Sequence, residues 1–384
     1  MHCIRSSPLS IPLFRRVRFC LVTVREESTK RLSDSLEINQ DESQEHGVAQ
    51  KLKLPRRKVC QQVLDHFDRQ YTAELGRLWM SARSVLLNPD CWQYGVMLNR
   101  FTDVCELRTR LCELGYSRLF PQSDGVHSRH GSHGSPECFV QRAPVRLPAP
   151  RHERGHLKRY FLLNVASLLP VLALGVTEGE RVLDMCSAPG GKAIAILQTT
   201  CPGFLHCNEV DTHRCDWLSK TLESYVPAAV METVRVTNED GRDFAHTHRG
   251  QYDKVLVDAP CSNDRSWLFT PSDHQGELWL KERRKLPELQ AQLLRSALAA
   301  VRPGGAVVYS TCTLSQAENH AVVEAVLATC PWVEPEDLQE ELANQVSEHF
   351  IFAPPLAPPG LLVVPERLGY TWGPMFLSRL RRTR

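Results

Sequence analysis

The sequence predicts an α/β protein: a Rossmann-like, doubly wound sheet with a C-terminal antiparallel hairpin, preceded by a smaller, mainly helical N-terminal region. Three observations carry this. Short apolar strands at residues 181–184, 204–208, 234–236, 254–257 and 306–309 alternate with helical stretches, the pattern of parallel strands joined by crossovers. All five run into polar or reactive residues at their carboxyl ends: Asp184, Glu209, Asp240, Asp258 with Cys261, and Ser310 to Cys312. Between the first strand and its helix, Pro189-Gly190-Gly191 forces a tight turn, the place where such folds bring backbone N–H groups to a ligand.

Composition sets limits on this reading. The chain has 384 residues, 42% hydrophobic and 23% charged, enough for one large or two modest soluble domains. No stretch approaches the ~18 apolar residues of a membrane span. A net charge of +2 says little, so any polyanion must be sought in local clusters. Fourteen cysteines without a Cys-x-x-Cys pair read as reduced thiols of an intracellular protein.

In chain order, residues 1–25 hold Arg5, Arg15, Arg16, Arg18 and Arg25 and no acid, the composition of a mitochondrial targeting segment or of a disordered basic tail. Residues 26–55, acidic between 33 and 46, read as a flexible linker. Residues 56–155 form the N-terminal region, assigned to RNA binding. There Val63, Phe67, Tyr71, Leu75 and Trp79 recur every fourth residue, one packed face of a helix. Pro89 closes that region's first helix or the loop after it, and residues 91–101 fit helix or strand equally. Residues 122–136 are a Ser-, Gly- and His-rich loop whose His127, His130 and His133, even with Glu137 and Cys138 nearby, lack a rigid frame or ligand spacing, so no metal is expected.

The basic run Arg142, Arg146, Arg151, Arg154, Lys158 and Arg159 is a phosphate track or a solvated surface. Residues 281–285 and the tail Arg379, Arg381, Arg382 and Arg384 add cations that favour a nucleic-acid partner. Residues 156–384 form the second domain. In it Ser315 and Glu318 fit a capping box before a helix at 320–329, and strands at 361–364 and 375–380 form the terminal hairpin.

The chemistry is suggested by thiols. Cys261 and Cys312 stand at the ends of adjacent strands beside Asp258, facing the glycine loop. A thiolate adding to carbon 6 of cytosine makes carbon 5 nucleophilic toward a sulfonium methyl group, and a neighbouring carboxyl at N3 or N4 steadies the adduct. Such a base must be out of any stack.

Residues 186–192, Asp258-Ala259-Pro260-Cys261 and Ser310-Thr311-Cys312 resemble the three signature motifs of the Nop/Sun RNA cytosine-5 methyltransferase family, over roughly residue 59 to the C-terminus. The resemblance implies S-adenosyl-L-methionine as cofactor, bound by Cys186, Ser187, Ala188, Pro189, Gly190, Gly191 and Lys192, with Glu209 on the ribose, Asp240 beside the adenine and Asp258 bordering the methyl group. It further implies Cys312 as nucleophile, Cys261 in product release, and Lys192 orienting Asp258. Ser187 and Ala193 depart from the usual alanine and threonine, both by small residues. Residues 63–67, 91–94, 160–174 and 258–269 look most like a mitochondrial member that modifies the wobble cytosine of mitochondrial tRNA-Met. The expected protein is thus a monomer of the mitochondrial matrix with an RNA partner, no membrane and no metal. A mitochondrial rRNA methyltransferase and a non-catalytic RNA scaffold are the alternatives. A DNA enzyme would attack with Cys261 and leave Cys312 unexplained. A small-molecule methyltransferase would need neither the basic patches nor paired thiols.

Overall fold

The computed structural model describes residues 58–120, 135–270, 272–354, 359–367 and 369–384. The targeting segment, the linker and the three loop histidines lie outside them.

The carboxyl-terminal two thirds form the expected doubly wound sheet. Strands β5 (Arg181–Asp184), β6 (Phe204–Asn208), β7 (Val234–Thr237), β8 (Tyr252–Asp258) and β9 (Val301–Thr311) run parallel in the order β9-β8-β5-β6-β7. The chain leaves β5 in one direction through β6 and β7 and returns on its other side at β8, so the crevice where ligands bind in such sheets opens between Asp184 and Asp258. Successive residues face opposite ways. Leu183, Val255, Val257, Val307 and Tyr309 enter one core, and Val182, Leu205, Leu256 and Val308 the other. Burial on both faces explains the unbroken apolar runs in the sequence.

The terminal hairpin is present: β11 (Leu361–Val363) pairs antiparallel with β12 (Met375–Arg382), which pairs with β9 and with β10 (Val333–Glu336). Two of its arginines are committed within the fold, while Arg381 and Arg384 are exposed. Arg379 donates to the Ala173 carbonyl at 3.0 Å and pairs with Glu336 and Glu341. Arg382 donates to the Val301 carbonyl at 2.6 Å and lies over the Trp332 ring. The register pairs Phe376 with Thr311, Arg379 with Val308 and Arg381 with Ala306, which puts Arg379 about 10 Å and Arg381 about 17 Å down the sheet from the reactive edge.

A second sheet stands beside the first. Strands β1 (Gly95–Leu98), β2 (Ser117–Arg118), β3 (Cys138–Val140) and β4 (Tyr160–Leu163) pair antiparallel in the order β2-β3-β1-β4. Residues 91–101 were ambiguous because all four residues of β1 are buried, which erases the alternation a half-exposed strand would show. The N-terminal region is therefore helical with a sheet added. That sheet takes β4 from beyond residue 155, so the two parts interlock across the boundary drawn in the sequence. Glu137 pairs with Arg108 and Arg118, and Cys138 is buried in β3.

The four-residue stripe proves to be two helices, Gln61–Leu75 and Arg77–Leu86. Gly76, at φ 54°, breaks the helix. The stripe survives the break because Trp79 folds back onto Tyr71, ring centroids 4.9 Å apart. The first helix lies against helix Asp273–Arg283, where Gly276 gives the clearance: a Cβ there would meet Cys60 Sγ at 2.6 Å. No helix among the described residues is long and apolar enough to cross a membrane, and no group of three or more His, Cys, Asp or Glu among them could hold a metal.

Candidate active site

The glycine loop is held by backbone and short side chains. Helix Gly191–Thr199 starts where expected, and Gly190 takes φ 102°, a conformation open to glycine. Asp184, wholly buried, accepts from Ser187 Oγ at 2.8 Å; burial pushes its carboxyl up to about 7 against that bond. Burial, with the Glu209 and Asp184 carboxylates, also pushes the Cys186 thiol well up, so it stays protonated. Glu209 is 2% exposed and ion-paired with Arg214 at 3.1 Å, while Arg214 Nη2 donates to the Ala188 carbonyl at 2.7 Å, fastening the carboxylate to the loop. Burial raises the Glu209 pKa more than Arg214 lowers it. Asp240 accepts from Arg242 N at 3.0 Å and from its guanidinium, whose bonds lower the Asp240 pKa. Asn208, unnoticed in the sequence, donates to the carbonyls of Met185 at 3.1 Å and Glu239 at 3.0 Å, bridging the loops after β5 and β7.

Across the crevice the remaining candidates meet. Lys192 Nζ is 2.6 Å from Asp258 Oδ2, and Ser310 Oγ donates to Asp258 Oδ1 at 2.9 Å, so the carboxylate is held from both sides. Burial would lower the Lys192 pKa, but Asp258 outweighs it and the ammonium is stabilised. The two sulfurs, Cys261 Sγ and Cys312 Sγ, are 3.3 Å apart, and Cys312 N donates to Cys261 Sγ at 3.3 Å. The hydrogen bond to Cys312, then burial, raises the Cys261 pKa well above that of a free thiol. Across that contact either sulfur can donate its S–H to the other. Arg265, with its guanidinium over Trp92 at 4.6 Å, donates to the carbonyls of Thr371 and Gly373 on one flank of this site.

Beneath the thiols the sequence was misread. Ser315 makes no side-chain cap, and Glu318, 1% exposed, turns inward instead of closing a capping box. It accepts from Ser262 N at 2.9 Å, Ser262 Oγ at 2.6 Å and Gln290 Nε2 at 3.1 Å, and pairs with Arg283 at 3.2 Å. Arg283 was expected on a basic surface but is 6% exposed, and its Nη2 donates to Tyr71 Oη at 2.6 Å. A signal for this existed. Gly276, Trp279, Leu280 and Arg283 share an i, i+3, i+4, i+7 stripe, which places that arginine on the inner face of its helix. Lys281 and Lys285 of the same cluster are exposed and paired with Glu277 and Glu282.

Known proteins of similar sequence bear on this arrangement. The family model "16S rRNA methyltransferase RsmB/F" matches residues 171–367. The mitochondrial tRNA (cytosine(34)-C(5))-methyltransferase of Danio rerio is 57% identical over 87% of this chain and 91% of its own length. Its Mus musculus counterpart is 45% identical over 85% and 92%. The crystal structure of NSun6 from Pyrococcus horikoshii with SFG shares the fold, with TM-score 0.57 and 17% identity over 84% of this chain and 98% of that one. With a family model spanning the glycine loop and both cysteines, and relatives alike along nearly their whole length, the chain belongs to the RsmB/F family of RNA cytosine-C5 methyltransferases.

Proposed function

We propose that the protein methylates carbon 5 of the wobble cytosine of mitochondrial tRNA-Met in the mitochondrial matrix, as a monomer, and thereby supports mitochondrial translation. The observation that carries the chemistry is the thiol pair, sulfurs 3.3 Å apart, beside a carboxylate held by Lys192 and Ser310. The tRNA substrate and the compartment follow the named activity of the two relatives.

The residues present fit S-adenosyl-L-methionine. A Cβ at Gly190 or Gly191 would press on Leu218 or Phe161 at 3.1 and 3.2 Å, Glu209 offers a buried acceptor for hydroxyls, and Asp184 Oδ1 is buried without a hydrogen bond. Residues 186–192, Glu209, Asp240 and Asp258 would hold it, and when bound it supplies an electrophilic methyl group. In this reading Cys312 adds to carbon 6 as the thiolate, its charge supported by the Cys261 S–H. Asp258, fixed by Lys192, faces N3 and N4 of the flipped base and steadies charge as carbon 5 becomes nucleophilic. Once a base has taken the carbon-5 proton, the electrons of that C–H bond re-form the C5–C6 double bond and Cys312 leaves as the thiolate, assisted by Cys261.

Cys312→Ala is expected to give neither product nor covalent complex. Cys261→Ala should accumulate a protein–RNA adduct that survives denaturing electrophoresis, and the double variant should form none. An adduct from Cys312→Ala but not Cys261→Ala would reverse the roles. Bisulfite sequencing of mitochondrial RNA from cells lacking the protein reads the substrate: retained methylation at the tRNA-Met wobble position with loss in rRNA would favour the rRNA activity that the family description names.

A further inference from the structure

Two buried carboxylates cross between the cysteine loops. Asp264, three residues after Cys261, accepts from Leu314 N at 2.7 Å and Thr313 Oγ1 at 3.0 Å, in the loop that carries Cys312. Glu318, six residues after Cys312, accepts from the backbone and hydroxyl of Ser262, next to Cys261. Ser262 Oγ and Thr313 Oγ1 are themselves bonded at 2.9 Å. Each loop thus grips the other beside its cysteine. Arg283 joins the two grips, pairing with Glu318 directly and reaching Asp264 through Tyr71 Oη, which donates to Asp264 Oδ1 at 2.8 Å. None of these side chains is more than 6% exposed. In so dry a place a displaced donor or charge cannot turn to water, so the geometry is stiff.

We propose that Glu318 and Asp264, with Arg283 as shared counter-ion, are positioning residues that set the separation of the Cys261 and Cys312 sulfurs. The inference deepens the covalent reading and rests on it: turnover depends on a clasp aligned through the loops it grips. Thiolate addition and its reversal demand close alignment, and a 1 Å displacement can cost about 100-fold in rate.

Glu318→Gln tests this, because the carboxylate meets donors on both sides. An amide must turn its NH2 toward either Arg283 Nε or the Ser262 N–H and Gln290 Nε2. The expected result is a fall in kcat of about 100-fold with KM for RNA and cofactor nearly unchanged. A second measurement is independent of turnover. Diamide takes two electrons and two protons from a thiol pair, its N=N bond being reduced to a hydrazine while the S–S bond forms. Closure of the Cys261–Cys312 disulfide, read by peptide mass spectrometry, should slow about tenfold in the variant. Ser262→Ala removes only the hydroxyl and should move both readouts the same way by less, which keeps the test available should Glu318→Gln fail to fold. Normal kcat and normal disulfide closure, with only a lowered melting temperature, would overturn the proposal. If closure slows while neither Cys261→Ala nor Cys312→Ala traps an RNA adduct, the clasp stands and the covalent reading falls.

Discussion

The two walls of the crevice are built by opposite means. The β5–β6 wall is made from near neighbours in sequence: Ser187 bonds Asp184, Gly190 N bonds the Ser187 carbonyl, and Arg214 joins Glu209 to Ala188. The β8–β9 wall is fastened by side chains from Gln70 and Tyr71, Ser262 to Asp264, Arg283, Gln290 and Thr313 to Glu318, brought together only by the fold. A wall that cradles a cofactor can be made by a turn. A wall that brings two thiols from separate loops to 3.3 Å needs cross-bracing, and the bracing is ionic and dry.

This contrast predicts unequal sensitivity. The largest effect is expected from Arg283→Met, which strands Glu318 and Asp264 without their cation and should cost about 3–5 kcal/mol in guanidinium unfolding. A loss below about 1 kcal/mol, the level of a surface pair, would mean that the bracing is ornamental. On the other wall Asp184 gives a pH signature. Its folded carboxyl holds a proton up to about 7, whereas an ordinary aspartate titrates at 3.8, so the unfolded chain binds fewer protons between them and this group subtracts stability as pH rises through that window. Asp184→Asn should remove that slope; unfolding measured at several pH values in the window that still tracked the wild type would refute the assignment. The smallest change is expected at Gly190→Ala, about 1–3 kcal/mol for a non-glycine residue at φ 102°, with weakened cofactor binding by calorimetry. An alanine variant with unaltered stability and affinity would show that the turn is looser than its geometry.

The same contrast explains what could be read from the sequence. The glycine loop, the acidic strand ends and the paired cysteines were legible because a strand, a turn and a helix announce themselves over a dozen consecutive residues. The bracing was not. Glu318 follows Ser315 at the spacing of a capping box, and nothing local says that its carboxylate turns instead to Ser262, 56 residues back. Arg283 is embedded in Lys281-Glu282-Arg283-Arg284-Lys285, whose composition speaks for a surface while its helical phase speaks for the interior. Tyr71 was rightly placed in the packed stripe, but its hydroxyl's partner, Asp264, lies 193 positions on. In the basic tail the converse holds: a strand's arginines look alike in sequence at either end of a sheet, and only the β9–β12 register reveals which rim they occupy.

The Tyr71 hydroxyl has a consequence for where this enzyme begins. A fragment starting at residue 156 would carry every signature motif, yet it would lack the Gln70 amide and Tyr71 phenol on Arg283 and the Phe67 ring beneath its guanidinium. It would also lose β1, the strand that holds β4 in its sheet. Motif-complete and site-incomplete, such a piece could not be exchanged between relatives as a self-sufficient cassette. The unit that can be transplanted starts at the first helix.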